Sequence, residues 1–374
     1  MKIRAAVLER TGAERPYATT RPLSIGEVEL EEPGRGELLV RIEAAGVCHS
    51  DLSVVDGTRP RPVPMVLGHE AAGVVEAAGP GVADVAEGDH VVLAFVPACG
   101  DCPECVAGRP ALCGPAAVAN AEGRLLAGMS RLRRGGDAVY HHLGVSGFAE
   151  RAVVARGSAV VIDRDVPLET AALFGCATLT GAGAVLNTAA VEPGASVAVF
   201  GLGGVGLACI MGALAAGAHP VIAIDPVASK RELALKLGAT AAHGPEEAVE
   251  AIRELTGGGV RYAFEAAGQP RVLEAAYAAT GRGGMTVTMG LPDPSLEVRL
   301  PAASLVAEAR TLVGSYMGSS VPQRGVPRFV DLWRAGRLPV ERLRSSTIAL
   351  EDVNEAMDAL ADGEVVRQVI RPGL

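Results

Sequence analysis

Residues 196–218 read SVAVFGLGGVGLACIMGALAAGA, and this run restricts the fold more than any other part of the chain. A continuous apolar strand, SVAVF, meets G-x-G-x-x-G at Gly201, Gly203 and Gly206, and a long apolar helical run follows at once. A second strand, VIAID, ends in Asp225, nineteen positions after Gly206. Taken alone the glycines say little, but strand, glycines, helix, strand and terminal acid inside one βαβ unit form a dinucleotide fingerprint. The glycines allow a tight turn and close backbone approach. The helix start (Gly203, Gly204, Val205, Gly206) then offers free N–H groups and the positive end of its dipole to a pyrophosphate. Asp225 selects the cofactor. Its carboxylate can accept hydrogen bonds from ribose hydroxyls, whereas a 2′-phosphate about 4 Å away would be repelled by roughly 4 kcal/mol at an effective dielectric near 20. Lys230 and Arg231 soften that repulsion without reversing it, so NAD is expected.

The alternation continues downstream through ASKRELALKLGA (helix), RYAFEAAG (strand), PRVLEAAYAAT (helix), MTVTMG (strand) and ARTLVGSYMG (strand), with TLTGAGAVLNTAAV predicted as a helix ahead of the glycines. This pattern predicts a doubly wound parallel sheet with helices on both faces. The first half behaves differently. RAAVLE, SIGEVEL and ELLVRIEAAG, then AAGVVEAAG and DHVVLAF, are short alternating runs separated by Pro and Gly, which reads as antiparallel, partly barrel-like β structure. The segments after Val321 read as helix, strand, helix and strand, and are expected to return to that first domain.

Between these regions lie the groups that carry chemistry. Residues 46–70 hold Cys48, Ser50, Asp51 and a Gly68-His69-Glu70 turn. Thiolate and imidazole suit a catalytic zinc, which takes three protein ligands and keeps one position open; Cys176 is the candidate for the third. Further on, Cys99, Cys102, Cys105 and Cys113 share one Gly- and Pro-rich lobe with two, two and seven residues between them. Four thiolates so close can close a tetrahedron, which predicts a structural zinc that no substrate can reach. Its loss should first cost local folding. A hairpin is expected around Arg131, Arg133 and Arg134, read as a solvated basic face; His141 and His142 beside it have no partner that the sequence names.

Composition adds exclusions. A net charge of −9 argues against nucleic acid or an anionic membrane as partner. No apolar run reaches about 18 residues unbroken, so no membrane span is expected. The start MKIRAAVLER lacks a signal-like apolar stretch, and seven cysteines, an odd number, read as thiols and metal ligands in a cytoplasmic protein.

With G-x-C-H-S-D, G-H-E, the four-cysteine lobe, FGCATLTGAGAV, GLGGVG and VVRQVI on the page, the chain resembles the zinc-dependent alcohol dehydrogenases of the medium-chain dehydrogenase/reductase superfamily over nearly its whole length. The resemblance implies a GroES-like, β-rich catalytic domain over residues 1–178 and 319–374 and a Rossmann domain over 179–318. It implies two zinc ions per subunit, one on Cys48, His69 and Cys176 and one on the lobe. Ser50 would bond the substrate oxygen, Asp51 would hold the zinc histidine, and Glu70 would lie near the metal. His49 and Arg367 would meet the pyrophosphate, and Thr180 the nicotinamide. Phe95 and Phe148 match positions that line the substrate pocket, and a homodimer or dimer of dimers would form through the cofactor domain.

The expected reaction is hydride transfer from an alcohol to NAD. Ser50 and GAGAVLN resemble aryl and benzyl alcohol members. Two departures stand out. Ser53 occupies the place where many members end their proton relay in histidine, which leaves the cofactor ribose, water or His49 to take the proton. Ala117 replaces the arginine of the glutathione-dependent formaldehyde dehydrogenases, which weakens a thiol-adduct reading. A catalytically silent NAD- and zinc-binding protein is the remote alternative, disfavoured because the three ligands are all present.

Overall fold

The computed structural model describes all residues, 1–374, and resolves into two compact units. The first comprises Met1–Cys176, Val321–Pro327 and Arg344–Leu374; the second comprises Ala177–Ser320 and Arg328–Leu343.

In the first unit, five strands (Lys2–Leu8, Leu23–Leu30, Met65–Val66, Leu132–Arg134 and Asp137–His141) close a small barrel. Beside them a seven-stranded sheet is centred on Glu37–Val47, which pairs antiparallel with Glu70–Ala78, Arg151–Ala155 and Arg367–Ile370. Closure removes the open edges that a set of short strands would otherwise expose. The expected hairpin forms with Gly135 and Gly136 at its tip, both at positive φ, a conformation glycine adopts without steric cost. The core is aliphatic: Leu38, Val40, Val47, Leu52, Leu67, Val91, Leu93 and Phe148 form one buried cluster.

In the second unit six parallel strands carry the dinucleotide motif: β1 (Val197–Phe200), β2 (Val221–Ile224), β3 (Ala241–His243), β4 (Val260–Glu265), β5 (Thr280–Thr288) and β6 (Thr311–Gly314). They lie in the order β3-β2-β1-β4-β5-β6, the doubly wound order, which reverses direction between β1 and β4. Strands buried on both faces need continuous apolar runs, and VAVF and VIAI supply them.

Two expectations are corrected. Residues 328–343, expected with the first domain, belong to the second unit. Phe329, Leu338, Val340 and Leu343 bury their side chains there, and Arg328, Arg337 and Arg342 hydrogen-bond Asn187, the Ala215 carbonyl and the Lys236 carbonyl. The helix expected from residue 178 starts earlier: Leu168–Thr188 is a single helical stretch with wide π turns at Phe174–Thr178 and Ala184–Thr188. Its length and apolarity would suffice to cross a membrane, which the broken apolar pattern had not suggested. With 89% of its apolar window buried inside the protein, it has the profile of a core helix.

Candidate metal centre and dinucleotide site

Strand Glu37–Val47 ends at Cys48, which N-caps helix α1 (His49–Val55). Asp51, in the first turn of α1, turns back to accept the Cys48 backbone N–H through Oδ2 at 3.1 Å. The local reason for Cys-His-Ser-Asp is therefore a helix start: a carboxylate in the first turn satisfies a backbone donor the helix leaves orphaned. The same carboxylate reaches the next strand connection. Its Oδ1 accepts from the Gly68 N–H at 3.0 Å and from His69 Nδ1 at 3.1 Å. His69 is thereby fixed with Nε2 facing away from Asp51, the arrangement a metal-ligating histidine adopts.

Cys176 Sγ lies 3.3 Å from His69 Nε2, and the ligand atoms of Cys48, His69 and Cys176 all fall within 4.8 Å of one another. A tetrahedral zinc with sulfur at about 2.3 Å and nitrogen at about 2.0–2.1 Å requires ligand separations of roughly 3.5 Å. Two thiolates and a neutral imidazole also match the charge of a dication, so the donor set fits zinc in separation and in chemistry. Cys176 reaches the site from the π turn Phe174–Thr178. Gly175 before it packs so tightly that a Cβ would stand 2.3 Å from the Leu93 carbonyl oxygen.

All three ligands are buried, and the electrostatics reflect it. The hydrogen bond from Cys176 draws the Cys48 thiol well below its ordinary range against the cost of burial, and the charges of Arg367 and His69 assist. The same bond, with burial, pushes Cys176 up. Burial alone would raise Asp51; the charge on His69 and its bond, with the His142 ring nitrogen close by, overrule it and hold the carboxyl at about 2. Glu70 and Arg367 are an ion pair sealed from solvent, with Nε 3.1 Å from Oε1, and Arg367 also donates to the Val47 carbonyl at 3.0 Å. Gly46 makes room for this pair, since a Cβ there would meet Glu70 Oε1 at 2.3 Å. Arg367 therefore lies against Glu70 and carries charge beside Cys48 and Cys176.

Ser50 is half-buried on α1 and His49 is exposed at its first position. Ser53, at the relay position, donates its hydroxyl to the Ser50 carbonyl at 3.0 Å, a bond within the helix. Phe95 packs edge-on against His69, ring centroids 5.9 Å apart. Phe148, expected to line a pocket, is fully buried beneath Gly68, whose added Cβ would lie 2.6 Å from its ring. It is core, and offers a substrate no surface.

Sequence reasoning missed His142. Its Nδ1 lies 3.0 Å from Asp51 Oδ1, off the direct hydrogen-bond line, and its ring stands edge-on to His69 at 5.4 Å. The His-His pair beside a hairpin was the only sequence signal. His141 is a buried structural group: it accepts the Arg131 N–H at Nε2 and meets Ser146 Oγ at Nδ1, and burial, aided by Arg131, lowers it to about 3. The arginines nearby are neutralised, Arg131 by Glu37 and Glu31, Arg133 by Glu31 and Arg134 by Glu9.

In the lobe, Cys99, Cys102, Cys105 and Cys113 bring their sulfurs within 4.8 Å of one another, with Cys99 and Cys105 4.0 Å apart. A zinc tetrahedron with 2.3 Å bonds has edges of about 3.8 Å, so this set fits as well. The backbone N–H groups of Cys102 and Cys99 already point at the sulfurs of Cys99 and Cys113, as they do where thiolates need stabilising. No pair is joined as a disulfide.

In the second unit each glycine of the motif has a distinct reason. Gly201 turns at φ +90°; Gly203 N-caps helix α2 (Gly204–Ala215) with open space where a Cβ would be; Gly206 packs on the strand so closely that a Cβ would stand 1.8 Å from the Gly201 carbonyl oxygen. Val205 is half-buried in the first turn of α2. Asp225, just past β2, accepts the Leu202 N–H at 2.7 Å and the Val227 N–H at 2.8 Å. Arg231 is tied to the Asp225 and Pro226 carbonyls, Lys230 is half-buried nearby, and Thr180 is buried in the apolar helix described above.

Residues 34–164 match the family described as alcohol dehydrogenase GroES-like domain, and residues 204–333 match zinc-binding dehydrogenase. The chain is 40% identical to the NDMA-dependent alcohol dehydrogenase of Amycolatopsis methanolica, with 99% of each chain covered. It is 38% identical to the S-(hydroxymethyl)glutathione dehydrogenase of a Synechocystis species, over 99% of this chain and 100% of that one. Among solved structures it is similar to benzyl alcohol dehydrogenase from Acinetobacter calcoaceticus, with a TM-score of 0.92, 34% identity and 99% of both chains covered. Two family matches, full-length identity near 40% and a zinc-ready ligand triad place the chain among the zinc-dependent alcohol dehydrogenases of the medium-chain dehydrogenase/reductase superfamily, as an oxidoreductase.

Proposed function

We propose that the chain oxidises a primary alcohol, aromatic or benzylic in class, to its aldehyde with NAD as acceptor, and that it holds one zinc on Cys48, His69 and Cys176 and a second on the four-cysteine lobe. The observation that carries this reading is the buried triad with His69 oriented by Asp51. Zinc bound there would supply Lewis acidity to the substrate hydroxyl, of the kind that brings a bound water from pKa 15.7 to about 7, where a positioned base alone gives about 10²–10⁴-fold. The chain's own groups do the rest. Ser50 accepts the hydroxyl proton and passes it towards solvent, with His49 as the exposed group next in line. Asp51 keeps His69 in the tautomer that presents Nε2. Glu70 and Arg367 hold opposite charges against the thiolates and keep the net charge of the buried site near neutral. The backbone N–H groups at the start of α2 bind the pyrophosphate, Thr180 contacts the nicotinamide and Asp225 the ribose; Arg367, expected at the pyrophosphate, is instead taken up in its buried pair with Glu70.

The test is Cys176→Ala. Alcohol oxidation should vanish while NAD binding, read by fluorescence titration, persists; surviving oxidation would remove the metal assignment. A panel of benzylic, aliphatic and thiol-adduct substrates, compared as kcat/KM, identifies the substrate class. The likeness to an S-(hydroxymethyl)glutathione dehydrogenase keeps a formaldehyde–thiol adduct as the second reading, against which Ala117 counts.

A homodimer or dimer of dimers would use the free edge of β6 and the exposed Leu296, Val298, Leu305 and Val306 before it, an apolar strip that a second copy would cover. A cytoplasmic setting is consistent with seven unpaired thiols.

A further inference from the structure

His142 has no part in the function proposed above, yet it is 2% exposed and lies against the groups that orient the metal ligand. Its loop is rigidly built. The His142 N–H donates to Ser146 Oγ at 3.0 Å, and the His142 carbonyl accepts from Val145 and Ser146. Leu143, Gly144 and Ser146 all take positive φ. The next residues are stitched to the ligand segment, Gly147 N–H to the Gly68 carbonyl at 2.8 Å and Phe148 N–H to the Leu67 carbonyl at 3.0 Å. The ring is thus held in place by the backbone and does not merely fill space.

Three nitrogens converge on one oxygen. Asp51 Oδ1 has Gly68 N at 3.0 Å, His69 Nδ1 at 3.1 Å and His142 Nδ1 at 3.0 Å, while Oδ2 serves only the Cys48 N–H. Two aligned N–H groups use the two lone pairs of this oxygen, and His142 Nδ1, equally close but off the hydrogen-bond line, sets a third ring dipole against the same charge. The His142 contact draws on charge that the two aligned bonds would otherwise use.

We propose that His142 is a positioning residue that divides the Asp51 carboxylate with His69, and so loosens the grip of Asp51 on the metal-ligating imidazole. Relieved of this competitor, Asp51 would pull harder on the His69 Nδ1–H, making Nε2 a stronger donor and the metal both tighter and less acidic. The sharing needs only an N–H at Nδ1 of each ring, whatever the ring's charge. The inference rests on the zinc triad assigned above.

The test compares zinc- and cobalt-loaded enzyme with His142→Phe, which keeps a ring of similar size and removes the donor, and His142→Asn, whose amide nitrogen stands where Nδ1 was. Zinc loss to a chelator, followed with a metal-sensitive dye, should slow in H142F on the order of three- to tenfold, less than the 10–100-fold typical when an outer partner is lost outright. The cobalt absorption bands should shift with it, and H142N should return both towards the parent. Equal or faster loss from H142F overturns the proposal, as does H142N behaving like H142F, which would assign the effect to packing. A parent enzyme whose cobalt form lacks thiolate charge-transfer bands from this site overturns the triad itself, and the proposal with it. Should H142F fail to fold, histidine-labelled zinc enzyme still decides the matter. Protected Nδ1–H resonances on both His69 and His142, identified by their ring nitrogen shifts, support the sharing, and an Nε2–H on His142 overturns it.

Discussion

Asp51→Asn isolates the group on which most of the site converges. The carboxylate is fully buried and accepts from two backbone N–H groups and His69, with His142 alongside. The Gly68 N–H and His69 bond Oδ1, with His142 beside it, so the amide oxygen of asparagine will settle there and its NH₂ will face the Cys48 N–H. That contact sets donor against donor and leaves a buried N–H without a partner, a cost of about 1–3 kcal/mol. Bonds to Oδ1 fall from charge-assisted to neutral strength, a further loss of about 1 kcal/mol each. An amide is cheaper to bury than a carboxylate, which offsets part of this. The expected net is about 3 kcal/mol of stability in metal-free protein, read by urea unfolding, together with a 10–100-fold loss of zinc affinity measured by chelator competition. A variant within 0.5 kcal/mol of the parent that binds zinc within a factor of two would refute the claim that Asp51 organises the site.

Acid should destabilise the protein in two stages. His141, lowered to about 3 by burial and Arg131, favours the neutral form in the fold, so its contribution is full above about pH 6.5 and falls as pH drops towards 3, by at most about 4–5 kcal/mol; Asp51, held at about 2 by His69 and His142 against burial, adds on the order of 2 kcal/mol that is lost from about pH 4 downwards. Urea midpoints between pH 7 and 4.5 should fall, and His141→Gln should flatten that slope; an unchanged slope counts against a neutral buried His141. Asp225→Gly should improve NADP binding by about 10²-fold or more, given roughly 4 kcal/mol of removed repulsion, and equal gains for NAD would exclude that cause. Cys102→Ser should leave NAD binding intact while residues 99–113 lose hydrogen-exchange protection, and uniform loss of protection over the first unit would show that the lobe is no local staple.

Much of the site was legible because its chemistry needs particular residue types at fixed spacings. Cys48 with His69 in one loop, four cysteines in one lobe and Gly201 to Gly206 between a strand and a helix each announce a ligand set. The structure gathers the first two sets and gives each glycine a steric reason. Where contacts are long in sequence the signal vanished. His142 meets Asp51 across 91 positions, through a loop whose shape depends on Ser146 and positive φ angles. Phe148 looks like a pocket residue until Gly68 is seen to pack on it. Residues 328–343 follow their buried side chains into the second unit although the chain on either side belongs to the first. Periodicity revealed an apolar helix near residue 180, but a π turn carries no compositional mark.

That π turn makes the metal centre sensitive to a simple count of residues. Removing one residue from 174–178 would let the helix wind normally, its flanks keeping their register, and take away the wide turn from which Cys176 faces the other two ligands. Cys176 would then point elsewhere with its chemistry unaltered, whereas a substitution at an outward-facing neighbour would leave its heading untouched. Chain length within this one turn, more than side-chain identity around it, decides whether the third sulfur arrives.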